Sequence, residues 1–207
     1  MGQALASDTP VAIVGAGAMG SGIAQVAAAA GHRVLLYDAS SGAVEQAIAR
    51  IGASFDRLAD KGRIDAGTAQ AARARLIPAA RLDELAASGL VIEAIVEDLV
   101  AKQQLFRTLE AIVSPACLLA TNTSSISVTA IAAALCAPGR LAGLHFFNPV
   151  PQMALVEVIS GLATEALVAE TLHATALAWG KSPVRARSTS GFIVNRVARP
   201  YYGEALR

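Results

Sequence analysis

Apolar residues fall into short runs separated by longer stretches with helical spacing, and the two patterns alternate along most of the chain. Val11-Ala12-Ile13-Val14 is the first run, followed by a glycine-rich turn. A helix of small residues is predicted from about Met19 to Ala30, with Gly31 as its stop. Arg33 to Tyr37 is the next strand, and Gly42 to Lys61 has the apolar spacing of a helix, carried on by a polar, Ala-rich stretch to about Arg75. Further strands are predicted at Leu90–Glu93, Cys117–Ala120 and Leu141–Phe146, with helices from about Asp98 to Ile112 and from about Val128 to Leu135 between them. The pattern then changes, because the strand Ala154–Ile159 follows Leu141–Phe146 with no helix between. A helix from about Glu165 to Trp179 leads to a short strand, Pro183–Ala186, and from Gly191 a last helix runs through Tyr201 and Tyr202 to Arg207, kinked at Pro200.

Strands alternating with helices predict an α/β fold with a doubly wound, mostly parallel sheet. The apolar residues of the last helix have no later partner in the chain. Residues 1–188 are therefore expected to form one domain, and 189–207 the first helix of a truncated C-terminal helical domain.

Composition narrows the classes. Hydrophobic residues make up 54% and aromatics 4% of 207 residues, so alanine supplies much of the apolar content, as suits helices packed closely on a sheet. A net charge of +1 with no basic run gives no electrostatic case for nucleic acid. The mean hydropathy of +0.50 raises the question of a membrane. No stretch reaches about 18 apolar residues without a polar interruption, so no spanning helix is expected. Met1 to Pro10 has neither a basic start nor an apolar core, so it does not read as a secretory leader. Cys117 and Cys136, the only cysteines, both lie in apolar surroundings and are expected as small buried hydrophobes in a reducing cytoplasm. No Cys/His cluster has metal-ligand spacing, so no metal is expected.

Gly15-Ala16-Gly17-Ala18-Met19-Gly20 is a G-x-G-x-x-G that follows a strand and opens a helix. Gly15 permits a tight turn, Gly17 lets backbone approach a pyrophosphate, and Gly20 lets helix pack on strand. The helix N-terminus offers free N–H groups and a positive dipole end to phosphates. Asp38 ends the second strand 18 residues after Gly20, near the ~20 expected of a ribose-binding acid. No basic residue follows in Ala39-Ser40-Ser41, so NAD is favoured over NADP. Together these features specify a Rossmann-type dinucleotide site.

Three histidines differ in setting. His32 follows Gly31 in a turn and is expected as a solvated helix-end residue, and His173 lies within a helix, expected at the surface. His145 falls near the end of the apolar strand Leu144-His145-Phe146. A lone histidine there is more often a core residue than a catalyst. Glu157, however, is the only acid in the neighbouring strand Leu155-Val156-Glu157-Val158-Ile159, and a buried carboxylate needs a partner. The two make a reasonable general base and orienting acid.

With these motifs in hand, the chain resembles the 3-hydroxyacyl-CoA dehydrogenase family from Val11 to Arg207. The resemblance is carried by Gly15–Gly20, by Val91-Ile92-Glu93-Ala94-Ile95-Val96-Glu97, and by Ala120-Thr121-Asn122-Thr123-Ser124-Ser125. It continues in His145-Phe146-Phe147-Asn148-Pro149 and Gly191-Phe192-Ile193-Val194-Asn195-Arg196. It implies that His145 is the base and Glu157 its partner, that Ser124 binds the reacting 3-oxygen, and that Asn195 stands in the active centre. It implies Glu97, Lys102 and Asn122 on the cofactor side, with Glu97 and Lys102 toward the nicotinamide half, beside the glycine-rich residues Gly15, Ala16, Gly17, Ala18, Met19, Gly20 and the acid Asp38. Ser54 and Lys61 match positions that touch coenzyme A in relatives. The implied reaction is NAD-dependent oxidation of a 3-hydroxyacyl-CoA to a 3-oxoacyl-CoA, with a homodimer for the full-length protein.

One motif departs from the family pattern. Relatives write Asp-Thr-Pro before Gly-Phe where this chain has Ser188-Thr189-Ser190, which removes a local acceptor and should loosen the path into the last helix. Val197–Tyr202 and Ile126–Ala130 are worded like the branch used in phenylacetate breakdown, whose members oxidise 3-hydroxyadipyl-CoA. Two other readings are weighed against this one. A dehydrogenase of a free hydroxy acid more often uses lysine as its acid/base group, against which the His145–Glu157 pair argues. A NAD-binding module without turnover would show a degenerate site, and here all four catalytic positions are filled.

Overall fold

The computed structural model describes residues 2–206; Met1 and Arg207, the outer ends of the two expected domains, lie outside the described residues. Eight strands form one sheet: β1 Val11–Val14, β2 Val34–Tyr37, β3 Leu76–Pro78, β4 Leu90–Glu93, β5 Leu118–Thr121, β6 Leu141–Phe146, β7 Leu155–Ser160 and β8 Ser182–Arg187. The helices are α1 Ala18–Ala29, α2 Ala43–Asp60, α3 Ala66–Ala74, α4 Leu99–Ile112, α5 Val128–Ala132, α6 Ala166–Ala178 and α7 Val194–Ala205. Strand order is β3-β2-β1-β4-β5-β6-β7-β8. Every ladder is parallel except β6–β7, which runs antiparallel where the sequence lacks a crossover helix. This is the doubly wound architecture expected, and its order reverses next to β1, where such sheets open a ligand crevice.

Alternate residues of β1 show how the core divides. Val11 and Ile13 pack on one face with Ile23, Ala24 and Phe55 from α1 and α2, whereas Ala12 and Val14 pack on the other with Phe106 and Leu109 from α4. The central strands are buried on both faces, which is why they read as continuous apolar runs.

The helical stretch expected to continue from Lys61 to Arg75 is broken. Gly62 turns the chain at φ +64°, and Asp65 caps α3 by accepting from the Thr68 amide at 2.8 Å. The short strand β3 was not expected. It has three residues ending in Pro78 and pairs only with β2, so it carries too little period to read and tolerates proline because it is an edge. Two further expectations are overturned. His32 is buried, its Nδ1 3.0 Å from the Thr9 carbonyl oxygen and its ring edge-on to Trp179. Cys136 is exposed in the loop after α5, while Cys117 is buried and its thiol is pushed up to about 11 by that burial.

Ser188 is tied down despite the departure of 188–190 from the family wording. Ser188 Oγ lies 3.2 Å from Ser127 Oγ and accepts from the Thr129 amide at 3.4 Å. Gly191 and Phe192 then turn at φ +73° and +48°, and the Phe192 ring is buried.

Candidate active site

The β1–α1 turn is shaped by close approach. A Cβ on Gly15, whose φ is +107°, would meet the Ala94 carbonyl oxygen at 2.5 Å, and one on Gly20 would lie 1.7 Å from the Gly15 oxygen. A Cβ on Gly17 would meet nothing within 4 Å, so backbone there faces open space. Gly17 is also the N-cap of α1 and supplies no side-chain hydrogen bond, which leaves the first helical amides, Ala18 and Met19 among them, without a capping side chain. Open space at a helix N-terminus fits a pyrophosphate. Asp38 stands beside it, accepting from the Ala16 amide at 2.7 Å and the Ser40 amide at 2.8 Å. Burial pushes the Asp38 carboxyl up, but the bonds from Ala16 and Ser40 outweigh it and hold the group below its usual range. A cleft of about 540 Å³ lined by Gly15, Gly17, Tyr37, Asp38, Leu82 and Leu105 lies at this edge, with the size and wall for an adenosine.

A second cleft, about 360 Å³, opens at the ends of β4, β5 and β6 and is lined by Met19, Glu97, Asn122, Ser124, His145 and Asn195, among others. His145 and Glu157 are direct partners in the antiparallel β6–β7 register. The Glu157 carboxylate is fully buried, and its Oε2 lies 2.7 Å from His145 Nδ1. With Nδ1–H donating to the carboxylate, Nε2 is the nitrogen that can accept a proton. The ring is flanked by Phe147 and Phe192 at centroid distances of 4.5 and 5.8 Å. The other Glu157 oxygen accepts from the Ile193 and Val194 amides, both at 2.9 Å, where α7 begins. One carboxylate therefore orients the histidine and anchors the helix that carries Asn195. Asn195 Nδ2 in turn donates to the Ser124 carbonyl oxygen at 3.0 Å, and Asn122 Oδ1 accepts from the Phe146 amide at 2.8 Å.

Glu97 gathers the loop after β5. Its Oε1 accepts from Thr123 Oγ1 at 2.6 Å, the Ser124 amide at 2.8 Å and Ser124 Oγ at 3.1 Å. Burial pushes this carboxyl up, but the Thr123 hydroxyl, the Ser124 amide and the Lys102 ammonium outweigh it and lower it to about 2. Lys102 is wholly buried, with Nζ 2.5 Å from Glu93 Oε1 and 3.3 Å from Glu97 Oε2. Glu93 lies in the 91–97 motif, and the resemblance implies no role for it. An acid closing an apolar strand, with a lysine nine residues on, carries the same signal that picked out Glu157.

The remaining two expected residues separate. Ser54 is half-buried, accepts from Gln25 Nε2 at 3.0 Å, and lines a third cleft of about 240 Å³ with Ser21, Arg50 and Arg57. Lys61 is exposed at the C-terminal end of α2, outside that lining. Sequence reading missed Arg50, whose Nη2 donates to the Ala16 carbonyl oxygen at 3.3 Å; nothing in its local wording marks it. Among the described residues no group of three or more His, Cys, Asp or Glu is placed to hold a metal ion, and no helix is long and apolar enough to cross a membrane.

A mostly parallel sheet with an open glycine turn, an acid beside that turn and a buried His–Glu pair at the strand ends defines a nicotinamide-dinucleotide-binding domain of the dehydrogenase type. Residues 10–189 match the family described as 3-hydroxyacyl-CoA dehydrogenase, NAD binding domain, and the chain belongs to that family. It is 56% identical over 197 residues to the 3-hydroxyadipyl-CoA dehydrogenase of Escherichia coli (strain K12), covering 95% of this chain and 42% of that protein. It is 41% identical over 203 residues to the mitochondrial hydroxyacyl-coenzyme A dehydrogenase of Homo sapiens, covering 95% and 65%. The crystal structure of an E. coli K12 3-hydroxybutyryl-CoA dehydrogenase superposes with a TM-score of 0.94 at 55% identity, over 96% of this chain and 42% of that one. The chain thus spans between about two fifths and two thirds of the length of these relatives.

Proposed function

We propose that this protein is a NAD-dependent 3-hydroxyacyl-CoA dehydrogenase. The observation that carries the reading is the His145–Glu157 pair, which opens onto the same cleft as Ser124, Asn195 and Glu97. Gly17 and α1 would hold the pyrophosphate, Asp38 the adenosine ribose, and Met19, Asn122 and Glu97 would face the nicotinamide half. Bound NAD supplies the hydride acceptor in one direction and the donor in the other. His145 Nε2 takes the proton from the substrate's 3-hydroxyl as the C–H electron pair departs, and Glu157 stabilises the imidazolium formed. In the reverse direction the same nitrogen returns the proton. Ser124 Oγ, which donates to Glu97 at 3.1 Å, would turn its hydrogen to the substrate's 3-oxygen, whose own proton goes to His145 Nε2.

The thioester end fits the cleft beside Ser54. Arg50 and Arg57 put two cations on the face of α2 that lines it, suited to the phosphates of coenzyme A. Lys61 belongs to the same reading as an outlying charge. Residues 1–188 are read as the nucleotide-binding domain and 189–207 as the beginning of a helical one, in line with the exposed Val197, Tyr201 and Tyr202 of α7. A cytoplasmic homodimer completes the proposal. Its test is substrate choice: NADH formation from NAD⁺ with 3-hydroxybutyryl-CoA, 3-hydroxyadipyl-CoA and free 3-hydroxybutyrate. Turnover of either thioester but not of the free acid is expected; turnover of the free acid alone would overturn the reading.

A further inference from the structure

Lys102 and Glu93, like Glu157, are charged side chains at this site that never reach its surface. Both side chains are fully buried, where an ion pair persists only if every donor and acceptor is met. Glu93 is met completely: Oε1 accepts from Lys102 Nζ at 2.5 Å and the Ile95 amide at 2.8 Å, and Oε2 from Thr121 Oγ1 at 2.6 Å. Lys102 has Glu93 on one side and Glu97 Oε2 on the other, at 3.3 Å. From Glu97 the connection continues through Oε1 to the Thr123 hydroxyl, the Ser124 amide and hydroxyl, and the Ser125 amide at 3.1 Å. An unbroken path therefore runs from the end of β4, through the first turns of α4, to the serine that faces the catalytic histidine's cleft.

The resemblance puts Lys102 toward the nicotinamide half, but its side chain has no exposed surface in this structure, so its influence on cofactor or substrate runs through its neighbours. We infer that Lys102, anchored by Glu93, is a positioning residue that fixes the Glu97 carboxylate, and that through Glu97 it sets the place of the Ser124 hydroxyl and the loop 123–125. Glu93 fixes Lys102, Lys102 fixes Glu97, and Glu97 fixes Ser124. The cluster's two carboxylates and one ammonium leave a net negative charge on Glu97, and that charge gathers the loop's donors. Without Lys102, Glu97 loses its cationic neighbour at Oε2, and its carboxylate is held only through Oε1 by the Thr123, Ser124 and Ser125 donors. The kinetic part of this inference rests on the dehydrogenase reading; the structural part does not.

The test reads the loop directly. Amide proton shifts and exchange rates of Ser124 and Ser125 are measured by NMR in the wild type, Lys102→Met, Glu93→Gln and the double variant Glu93→Gln/Lys102→Met. The double variant replaces the buried pair by neutral groups and retains the fold even if a single variant does not. Upfield shifts and faster exchange at Ser124 and Ser125 are expected in each variant that folds, and Lys102→Arg is expected to restore much of the wild-type pattern. NAD⁺ affinity by calorimetry should change only a few-fold, while kcat falls about 10²-fold, the scale of a misplaced catalytic contact. Adding Lys102→Met to Glu97→Gln should cost nothing further in kcat, because both act on one path. Unchanged Ser124 and Ser125 amides in the double variant would overturn the inference. So would a large additional loss of NAD⁺ affinity when Lys102→Met is added to Glu97→Gln, since that requires a direct contact. If the wild type turns over no acyl-CoA, the functional reading fails while the amide shifts still decide this one.

Discussion

His145 and Glu157 face each other across the antiparallel β6–β7 ladder, Nδ1 2.7 Å from Oε2, and the other oxygen of the same carboxylate holds the first amides of α7. The orientation of His145 and the placement of α7 therefore share one side chain. Glu157→Gln keeps the shape but presents an amide N–H or a weaker acceptor to each partner. It is expected to lower kcat by about 10²- to 10⁴-fold, the usual range for loss of general-base function. It should also lower folding stability by about 1–3 kcal/mol, because buried donors lose an ionic acceptor. Steady-state kinetics and thermal unfolding of the variant measure the two losses; a variant impaired in neither would separate Glu157 from both roles.

Two glycines of one turn are expected to fail in opposite ways. Gly17→Ala adds a methyl into open space and should leave the melting temperature near that of the wild type while weakening NAD binding. Gly20→Ala drives a methyl to 1.7 Å from the Gly15 carbonyl oxygen and should destabilise the fold itself. Thermal unfolding paired with calorimetric titration of NAD distinguishes these outcomes.

Asp38 is held ionised by the amides of Ala16 and Ser40 and stands where a 2′-phosphate would sit. The protein is expected to prefer NAD over NADP. Asp38→Asn should narrow that preference by at least about tenfold, or ~1.4 kcal/mol. Dissociation constants for both cofactors, measured on both proteins, give the ratio.

Glu97 carries the acid sensitivity of the site. Its carboxyl is lowered from 4.5 to about 2 in the folded protein, so the folded state binds this proton more weakly than the unfolded state does. The stability it contributes is present above pH 4.5 and is lost as pH falls from there toward 2. Glu97→Gln should therefore be less stable than the wild type at neutral pH and lose less stability on acidification across that window. Urea unfolding at a series of pH values measures both slopes, and parallel slopes would contradict the assignment.

The sheet, its glycine turn and the pairing of His145 with Glu157 were legible because each rests on short-range pattern: apolar runs, glycine spacing, and a strand's one acid beside a strand's one histidine. β3 was not, since three residues ending in Pro78 leave no periodicity to read. His32 was misplaced because its burial depends on Trp179 and the Thr9 carbonyl, both distant in sequence. Cys136 was misplaced because apolar neighbours in a sequence do not fix which way a loop faces. Glu93 went unassigned, although its signal equals that of Glu157, since its lysine partner arrives from the next helix rather than the next strand. Of the cleft beside Ser54, Ala18, Asn148 and Pro149 were named only for other motifs and Arg50 and Arg57 not at all; the two arginines reach it through the packing of α2 on the β1–α1 turn.

The central claim is that His145 moves the proton while NAD carries the hydride. The most direct measurement follows NADH absorbance with acetoacetyl-CoA for the wild type and for His145→Gln. NADH consumption by the wild type, with the variant slowed by about 10²-fold or more while still binding NADH, is the predicted result. A wild type that binds NADH yet leaves it unconsumed, or a variant that turns over at the wild-type rate, would contradict the account.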